Sequence, residues 1–466
     1  MPRIPLSIWH PFTQDALDPR PIFIERAEGV YLYTPEGRRI LDAISSWWVN
    51  LHGHAHPLIA EAIAEQARKL EQVIFAGFTH GPAEELAARL RNVLPLSLEH
   101  IFFSDDGSTA VEVALKMAMQ FWWNQGSHEK TKLVALEHAY HGDTAGAMSV
   151  GDDSSFVAAF DSLRFPVHRV PSAYCFRCPV GKTRATCDID CVEPLEQLLE
   201  ENEEEIAAVI VEPLLQAAGG MIVHPVEFLQ RVRKLCTRHK VLLIADEVLT
   251  GFGRTGRMFA CDRAGIVPDI MCLSKGITGG FLPLGATVCT EEIRDVFRSD
   301  DRMRTFFHGH SYTGSPLGCA AGIASLKIFE SEPVFERIAA VERIHAERLP
   351  LLKDHPAVGD VRSIGTVAAI EMLMAGRRQG SCVHARCQGL VFFAFRRMAG
   401  VVPWPGTREG TAQSRRHQTW QAATRAGLVL RRHLFFPGEG ILGVDSVVSR
   451  LQVGRDRRVA TDCCHL

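Results

Sequence analysis

The sequence predicts an α/β protein whose central sheet is mostly parallel and covered by helices on both faces, with a smaller α+β domain beside it. Short apolar runs alternate with helical patterns between about residues 100 and 290, which is typical of such sheets. A small, polar or charged residue follows five of these runs: Gly107, Tyr140, Glu212, Asp246 and Lys275. Ligands gather at the carboxyl ends of strands in these sheets, so we expect these five residues to converge.

Lys275 is the central candidate for a catalytic residue. It follows the apolar run 270–273, which predicts a buried strand, and it precedes a glycine-rich turn. Burial favours the neutral amine, which can attack a carbonyl group. A single lysine before a glycine is more often a solvated loop residue. Asp246 strengthens the case, because it ends the apolar run 241–245 and a carboxylate there needs a cation; the alternative for Asp246 is a helix N-cap.

Length and composition set the broad limits. The chain has 466 residues, enough for two domains, and a formal net charge of −3 that gives no support for nucleic-acid binding. It has no apolar stretch long enough to span a membrane and no signal-peptide pattern. Thirteen cysteines in such a chain indicate reduced thiols. We therefore expect a cytoplasmic protein that does not bind membranes.

The N-terminal segment is rich in aromatic residues and histidines. A Pro-Glu-Gly turn at 35–37 predicts a hairpin. Trp47 and Trp48 fit either a plain core or a pocket wall. Histidines at 52, 54 and 56 fit a metal site less well than a turn that lines a pocket, because no carboxylate or cysteine lies nearby in the sequence.

Two further stretches predict ligand contacts. A strand at 101–103 leads through Gly107 and Ser108 into a strong helix, and the start of such a helix binds anions such as phosphate; the alternative is an ordinary N-cap by Ser108. Tyr140 follows the strand 132–136 and could stack on a flat cofactor. The alternative is a buried tyrosine with a bonded hydroxyl.

Four cysteines lie within 17 residues, at positions 175, 178, 187 and 191. They could bind zinc or an iron–sulfur cluster at a peripheral site. The alternative is four free thiols. The predicted chemistry does not need this site, and no metal is expected in the active site.

Four motifs in this order resemble the signature of the class III aminotransferases, which are fold-type I pyridoxal phosphate enzymes: 244–248, the glycine-rich run 251–256, 268–270 and 274–276. The motifs at 9–13, 46–48 and 140–144 are similar to members that move an amino group from S-adenosylmethionine to 8-amino-7-oxononanoate in biotin biosynthesis. Some relatives use lysine as the donor. Other class III ω-aminotransferases are the alternative within the family, and an aminomutase or a decarboxylase is the alternative beyond it.

The resemblance implies a role for each cofactor residue. Lys275 would bind pyridoxal 5′-phosphate covalently and move a proton, and Asp246 would pair with the ring nitrogen. Gly107 and Ser108 would bind the phosphate, and Tyr140 would stack on the ring.

The resemblance also implies a homodimer with shared active sites. His310 and Ser311 would reach the phosphate from the neighbouring subunit. Trp47, Trp48 and Gly309 would line the substrate pocket, together with Tyr140 and Lys275. Arg254 would help to place a substrate.

We predict four parts in the chain: an N-terminal segment (1–55) that belongs to the small domain and the active site, a large cofactor-binding domain (56–330), the start of the small domain (331–371) and an atypical tail (372–466). The tail contains no lysine and is rich in arginine, and it lacks the family's Arg-Pro-x-Gly turn. A frame-shifted reading would explain this composition, and would leave the chain catalytically impaired; a divergent small domain is the alternative.

Overall fold

The computed structural model describes residues 7–373, apart from positions 15, 19 and 155, together with the backbone of 389–393 and 402–403. The N-terminal part forms a three-stranded antiparallel sheet of β1 (Arg26–Glu28), β2 (Tyr31–Tyr33) and β3 (Arg39–Leu41). Strands β2 and β3 pair across the Pro-Glu-Gly turn, so the predicted hairpin is confirmed.

A seven-stranded sheet forms the centre of the molecule, and the predicted fold class is confirmed. Its strand order is β4-β12-β11-β10-β7-β5-β6, and only β12 runs antiparallel to its neighbours. Strands β8 and β9 form a separate small hairpin. The bounds are β4 (Leu98–Ser104), β5 (Lys132–Leu136), β6 (His168–Val170), β7 (Ile206–Val211), β8 (Leu215–Gln216), β9 (Ile222–Val223), β10 (Leu242–Asp246), β11 (Ile270–Leu273) and β12 (Gly285–Thr290).

Helices cover both faces of this sheet. The helices are α1 (Ser45–Trp48), α2 (Pro57–Ala67), α3 (Gly81–Val93), α4 (Gly107–Asn124), α5 (Ala145–Ser149), α6 (Glu193–Asn202), α7 (Val226–Arg238), α8 (Ala260–Ala264), α9 (Glu291–Phe297), α10 (Pro316–Ser331) and α11 (Val334–Arg348). No helix among the described residues is both long and apolar enough to cross a lipid bilayer.

The central strands are buried on both sides, which explains their continuous apolar sequence. Along β7, Val209 and Val211 belong to one core cluster, whereas Ala208 and Ile210 belong to the cluster on the opposite face. Successive side chains of a strand point to opposite faces, so both core clusters draw on the same strands. Burying each large apolar side chain contributes about 1.5–3 kcal/mol, and this favours the strand register that keeps those side chains buried.

A second antiparallel sheet follows α11. It consists of β13 (Val358–Ile364), β14 (Val367–Met372), β15 (Gly389–Phe393) and β16 (Val402–Pro403). Apart from the backbone of β15, β16 and the first residues of the segment, the predicted tail (372–466) lies outside the described residues. The frame-shift hypothesis and the four-part division of the chain therefore stay predictions.

Candidate active site

A cavity of about 650 Å³ opens at the carboxyl ends of the central strands. All five residues that were expected to converge line it: Gly107, Tyr140, Glu212, Asp246 and Lys275. Their convergence is confirmed, because parallel strands deliver the residues that follow them to one edge of the sheet.

Lys275 begins a single turn of 3₁₀ helix directly after β11, and its φ of 40° lies in the left-handed region. Removal from water lowers the pKa of its amine, and the nearby Arg254 guanidinium acts in the same direction. The carboxylates of Asp246 and Glu212 oppose this by raising the pKa. The amine lies 5.3 Å from the centre of the Trp48 ring. A lysine in this setting is more readily neutral, and therefore nucleophilic, than one in water.

Asp246 is the last residue of β10 and is 5% exposed. Its Oδ2 accepts a hydrogen bond of 2.7 Å from Nδ1 of His141, whose side chain is fully buried. Its Oδ1 accepts from the backbone of Val248 at 3.0 Å. The alternative of a helix N-cap is wrong, because turns follow β10 and the next helix begins only at Ala260. The sequence analysis assigned no role to His141, although His141 lies beside Tyr140 in the motif 140–144.

The start of α4 forms another wall of the cavity. Its N-cap is Asp106, which accepts a hydrogen bond from the Thr109 backbone at 2.8 Å, so the alternative of an N-cap by Ser108 is wrong. The Ser108 hydroxyl instead contacts the Thr144 hydroxyl at 2.7 Å. A Cβ atom at Gly107 would lie 2.6 Å from a methyl group of Val248. This bare backbone and the helix dipole suit an anion.

Tyr140 and Glu212 line a further part of the cavity. The Tyr140 ring is 40% exposed, so the alternative of a buried core tyrosine is wrong; its hydroxyl donates to Asp143 at 3.0 Å. Burial and the Asp143 carboxylate raise the pKa of this phenol. Glu212 accepts hydrogen bonds from the backbone of Tyr140 at 3.0 Å and of Ala217 at 3.1 Å. Burial, above all, raises the pKa of Glu212 to about 7.

The two neighbouring tryptophans differ in position. Trp48 lines the cavity, whereas Trp47 does not, is 50% exposed and packs edge-on against Phe12 with 5.4 Å between the ring centres. All four residues of α1 have positive φ values between 47° and 70°, so this segment is a left-handed turn. Such backbone is costly for residues with side chains, and it persists only where the surroundings hold it.

Buried polar contacts hold this turn. Asp42 accepts from the Ser46 backbone at 2.9 Å and from its hydroxyl at 2.6 Å. Arg254, which is 3% exposed, donates to the carbonyl oxygens of Trp48 at 3.0 Å and Asn50 at 3.3 Å. Arg254 was expected to help place a substrate; its guanidinium is not among the groups that line the cavity, and it fixes the Trp48 turn.

Gly309, His310 and Ser311 do not line the cavity within the described chain. His310 Nε2 lies 3.5 Å from a carboxylate oxygen of Asp105, just before α4. The histidines at 52, 54 and 56 bind three different partners (Ser325, Asp42 and Glu332). In the described part of the chain no three potential ligands are gathered in a geometry that holds a metal ion.

Comparison with known proteins places this site in a family. The family model "Aminotransferase class-III" matches residues 13–404. The chain belongs to the class III aminotransferase family. A relative from Synechococcus elongatus, named adenosylmethionine-8-amino-7-oxononanoate aminotransferase, is 50% identical over 374 residues, which cover 80% of this chain and 86% of the relative. The protein of that name from Geobacter sulfurreducens is 48% identical over 370 residues, covering 78% and 82%.

Solved structures agree with this assignment. The adenosylmethionine-8-amino-7-oxononanoate aminotransferase of Methanocaldococcus jannaschii superposes with a TM-score of 0.73 at 39% identity, and the match covers 79% of this chain and 82% of that one. An amine transaminase from an uncultivated Pseudomonas species, solved with pyridoxal phosphate bound, gives 0.76 at 36% identity and covers 79% and 85%. The chain is thus a class III aminotransferase, an enzyme that uses pyridoxal 5′-phosphate.

The residues of the cavity fit this cofactor. A lysine with a lowered pKa, a buried carboxylate held by His141, and the bare N-terminus of α4 all border the same space. Pyridoxal phosphate needs an amine for its aldehyde, an acid for its ring nitrogen and an anion site for its phosphate. Lys275, Asp246 and the backbone at Gly107 and Ser108 are therefore the groups that would hold it.

Proposed function

We propose that this aminotransferase moves an amino group from S-adenosylmethionine to 8-amino-7-oxononanoate, giving the 7,8-diaminononanoate of biotin biosynthesis. The observation that carries the proposal is the meeting of Lys275, Trp48 and Tyr140 around one cavity above Asp246. The names of relatives that are 48% and 50% identical support this substrate pair.

The cofactor supplies an aldehyde that can exchange an amino group and a protonated ring that withdraws electrons from the substrate's Cα. Lys275 would hold the cofactor through its Nζ. The same amine, when free, would accept a proton from the substrate's Cα and later give it up. The lowered pKa of Lys275 serves both tasks, because only the neutral amine accepts a proton.

Asp246 would pair with the cofactor's ring nitrogen, and its negative charge would favour the protonated form of that nitrogen. His141 orients this carboxylate through the 2.7 Å hydrogen bond. The bond is fully buried and is therefore stronger than a similar contact in water. His141 is thus a positioning residue for Asp246.

Trp48 and Tyr140 form aromatic walls that exclude water and leave room for a flat ring and an alkyl chain. We assign Tyr140 to stacking on the cofactor ring. Trp47 and Gly309 are proposed to complete the substrate pocket at its outer edge, with Trp48 deeper inside.

We propose a homodimer in which His310 and Ser311 reach the phosphate site of the neighbouring copy. Both lie outside the lining of their own cavity, and the adjacent Phe307 and Tyr312 are each 65% exposed. Mixing a Lys275→Ala protein with a His310→Ala/Ser311→Ala protein tests this. If sites are shared, one site of the mixed dimer carries neither defect and activity returns. Monomers in light scattering, or no recovery after subunit exchange, would contradict it.

The reaction is tested by following the visible absorbance of the purified protein with pyridoxal phosphate. We expect S-adenosylmethionine to bleach the band of the bound cofactor, and 8-amino-7-oxononanoate to restore it with formation of diaminononanoate by mass spectrometry. Bleaching by lysine alone would make lysine the donor. A band that neither donor bleaches would indicate a broken substrate site, as a frame-shifted tail predicts.

Another class III ω-aminotransferase activity is the second candidate. The amine transaminase at 36% identity favours it. Bleaching by a simple primary amine, without restoration by 8-amino-7-oxononanoate, would support this reading. Release of carbon dioxide would indicate a decarboxylase instead. S-adenosylmethionine is an intracellular metabolite, so we place the enzyme in the cytoplasm.

A further inference from the structure

A long loop joins β6 to α6 and contains four of the nine cysteines in the described residues. They follow the pattern Cys-x₂-Cys-x₈-Cys-x₃-Cys at 175, 178, 187 and 191. The loop's only regular structure is two single turns of 3₁₀ helix, Cys175–Arg177 and Asp190–Val192. Loops of this length inside a compact domain are uncommon unless something holds them.

The structure brings parts of this loop together. Cys175 and Cys178 flank a single 3₁₀ turn, in which side chains three residues apart lie on the same side. Further along the loop, the Lys182 ammonium pairs with the Asp190 carboxylate, next to Cys191. Cys191 is buried and Cys175 is exposed, so the group is closed on the protein side and open to solvent on the other.

Positive side chains surround this group of thiols. Arg184 lies between Cys178 and Cys187 in the chain and pairs with Glu227 at 3.0 Å. Lys182 pairs with Asp190, next to Cys191, and Arg231 pairs with Asp188 at 2.8 Å. Four thiolates around a divalent cation carry a net charge of −2. The positive lysine and arginine side chains around the loop would offset that charge.

The loop also braces the active site from outside. Tyr174, just before the first cysteine, has its ring edge-on to His138 at 6.4 Å, two residues from Tyr140. Its hydroxyl donates to Glu371 of β14 at 2.5 Å, and Arg177 pairs with the same carboxylate. Glu371 is 3% exposed. The loop therefore connects the segment that carries Tyr140 to the second sheet.

We propose that Cys175, Cys178, Cys187 and Cys191 bind one Zn²⁺ ion, or another thiophilic divalent cation, and that this ion fastens the loop. Zinc takes four cysteine thiolates in a tetrahedral structural site. No three potential metal ligands are gathered in the described residues, so the proposal requires the two single turns to close around the ion when it binds. Each thiol that binds releases its proton to the solvent, and no oxidant or reductant is needed.

The metal content of the full chain tests the site. We expect elemental analysis by inductively coupled plasma mass spectrometry to find one zinc ion per chain in the purified protein. The Cys236→Ala control, which removes a buried cysteine of α7, should hold the same amount. The Cys178→Ala/Cys187→Ala variant should hold less than about a tenth of that, because two ligands are lost. Cobalt should give the intense thiolate charge-transfer absorbance of a tetrahedral site. Protein that takes up neither metal, or intact protein lighter by two or four hydrogens because the thiols form disulfides, would overturn the proposal.

Limited trypsin digestion gives a second test that does not depend on a variant folding. Arg177, Lys182 and Arg184 are exposed cleavage sites within the loop. A chelator should speed cleavage after these residues several-fold, and added zinc should reverse this. Cleavage that does not respond to either would contradict the proposal. The absorbance of the bound cofactor is read in the same samples, so the outcome is independent of the proposed aminotransferase reaction.

Discussion

The floor of the cavity and its rim are built from different kinds of structure. On the floor, Asp246 ends one strand of the central sheet and Lys275 follows the neighbouring one, and core clusters pack against both faces of these strands. On the rim, Trp47 and Trp48 sit in a left-handed turn that Asp42 and other buried polar contacts hold. The groups that we propose to hold the cofactor thus rest on the sheet, while those that we propose to contact the substrate rest on a strained turn.

The largest expected effect comes from removing the amine of the floor. Lys275→Ala should lower kcat by roughly 10³-fold or more, because the group that moves the proton is lost, and the absorbance band of the bound cofactor should disappear. The exposed Lys69→Ala is the matched control. A Lys275→Ala protein that keeps both band and turnover would show that the floor is assigned wrongly.

His141 tests whether the floor depends on its buried support. His141→Asn should lower kcat by roughly 10–100-fold with a smaller change in KM, since a hydrogen bond to a charged group contributes about 1.5–3 kcal/mol. The pH profile should shift as well, because the charge of Asp246 is no longer oriented. His239→Asn is the control, because the buried His239 contacts the partly exposed Glu203 carboxylate at 3.1 Å, away from the cavity. Equal effects of both variants would mean that His141 acts through stability alone.

Substitutions in the rim should change kcat/KM for different acceptors more than they change the binding of the cofactor. Trp48→Leu should lower kcat/KM for the amino acceptor by about 10-fold, within the range set by apolar pocket contacts, while the cofactor band stays. Trp47→Leu should cost only a few-fold, because that ring is 50% exposed and outside the cavity lining. Steady-state kinetics with a series of acceptors measures both. The reverse order of effects would indicate that the neighbouring subunit turns Trp47 into the main wall.

The smallest expected effect concerns the pH dependence of stability. The pKa of Glu212 is about 7 in the folded protein against an ordinary 4.5, so the folded chain keeps a proton that the unfolded chain has lost between these values. Stability should therefore fall as pH rises through this window, by about 1–3 kcal/mol. Glu212→Gln should flatten this slope in urea unfolding without cofactor, whereas the exposed Glu61→Gln should not. A slope that is the same in all three proteins would contradict the assignment.

Much of the fold and of the floor was determined by the sequence. Apolar strands such as 270–273 and 206–211 are readable because a strand buried on both faces must be apolar throughout. Residues that follow such strands must then meet at one edge, so Lys275, Asp246 and Gly107 could be placed together. The family motifs add the cofactor to this arrangement.

Only the tertiary structure decided which side chains face the cavity and which support it. His141 lies 105 residues from its partner Asp246, and Arg254 lies 206 residues from the Trp48 carbonyl that it binds. Contacts between such distant positions leave no local pattern, and Trp47 and Trp48 are the same residue type side by side. Their different exposure follows from the left-handed backbone at 45–48, which distant polar partners stabilise and which no local propensity predicts.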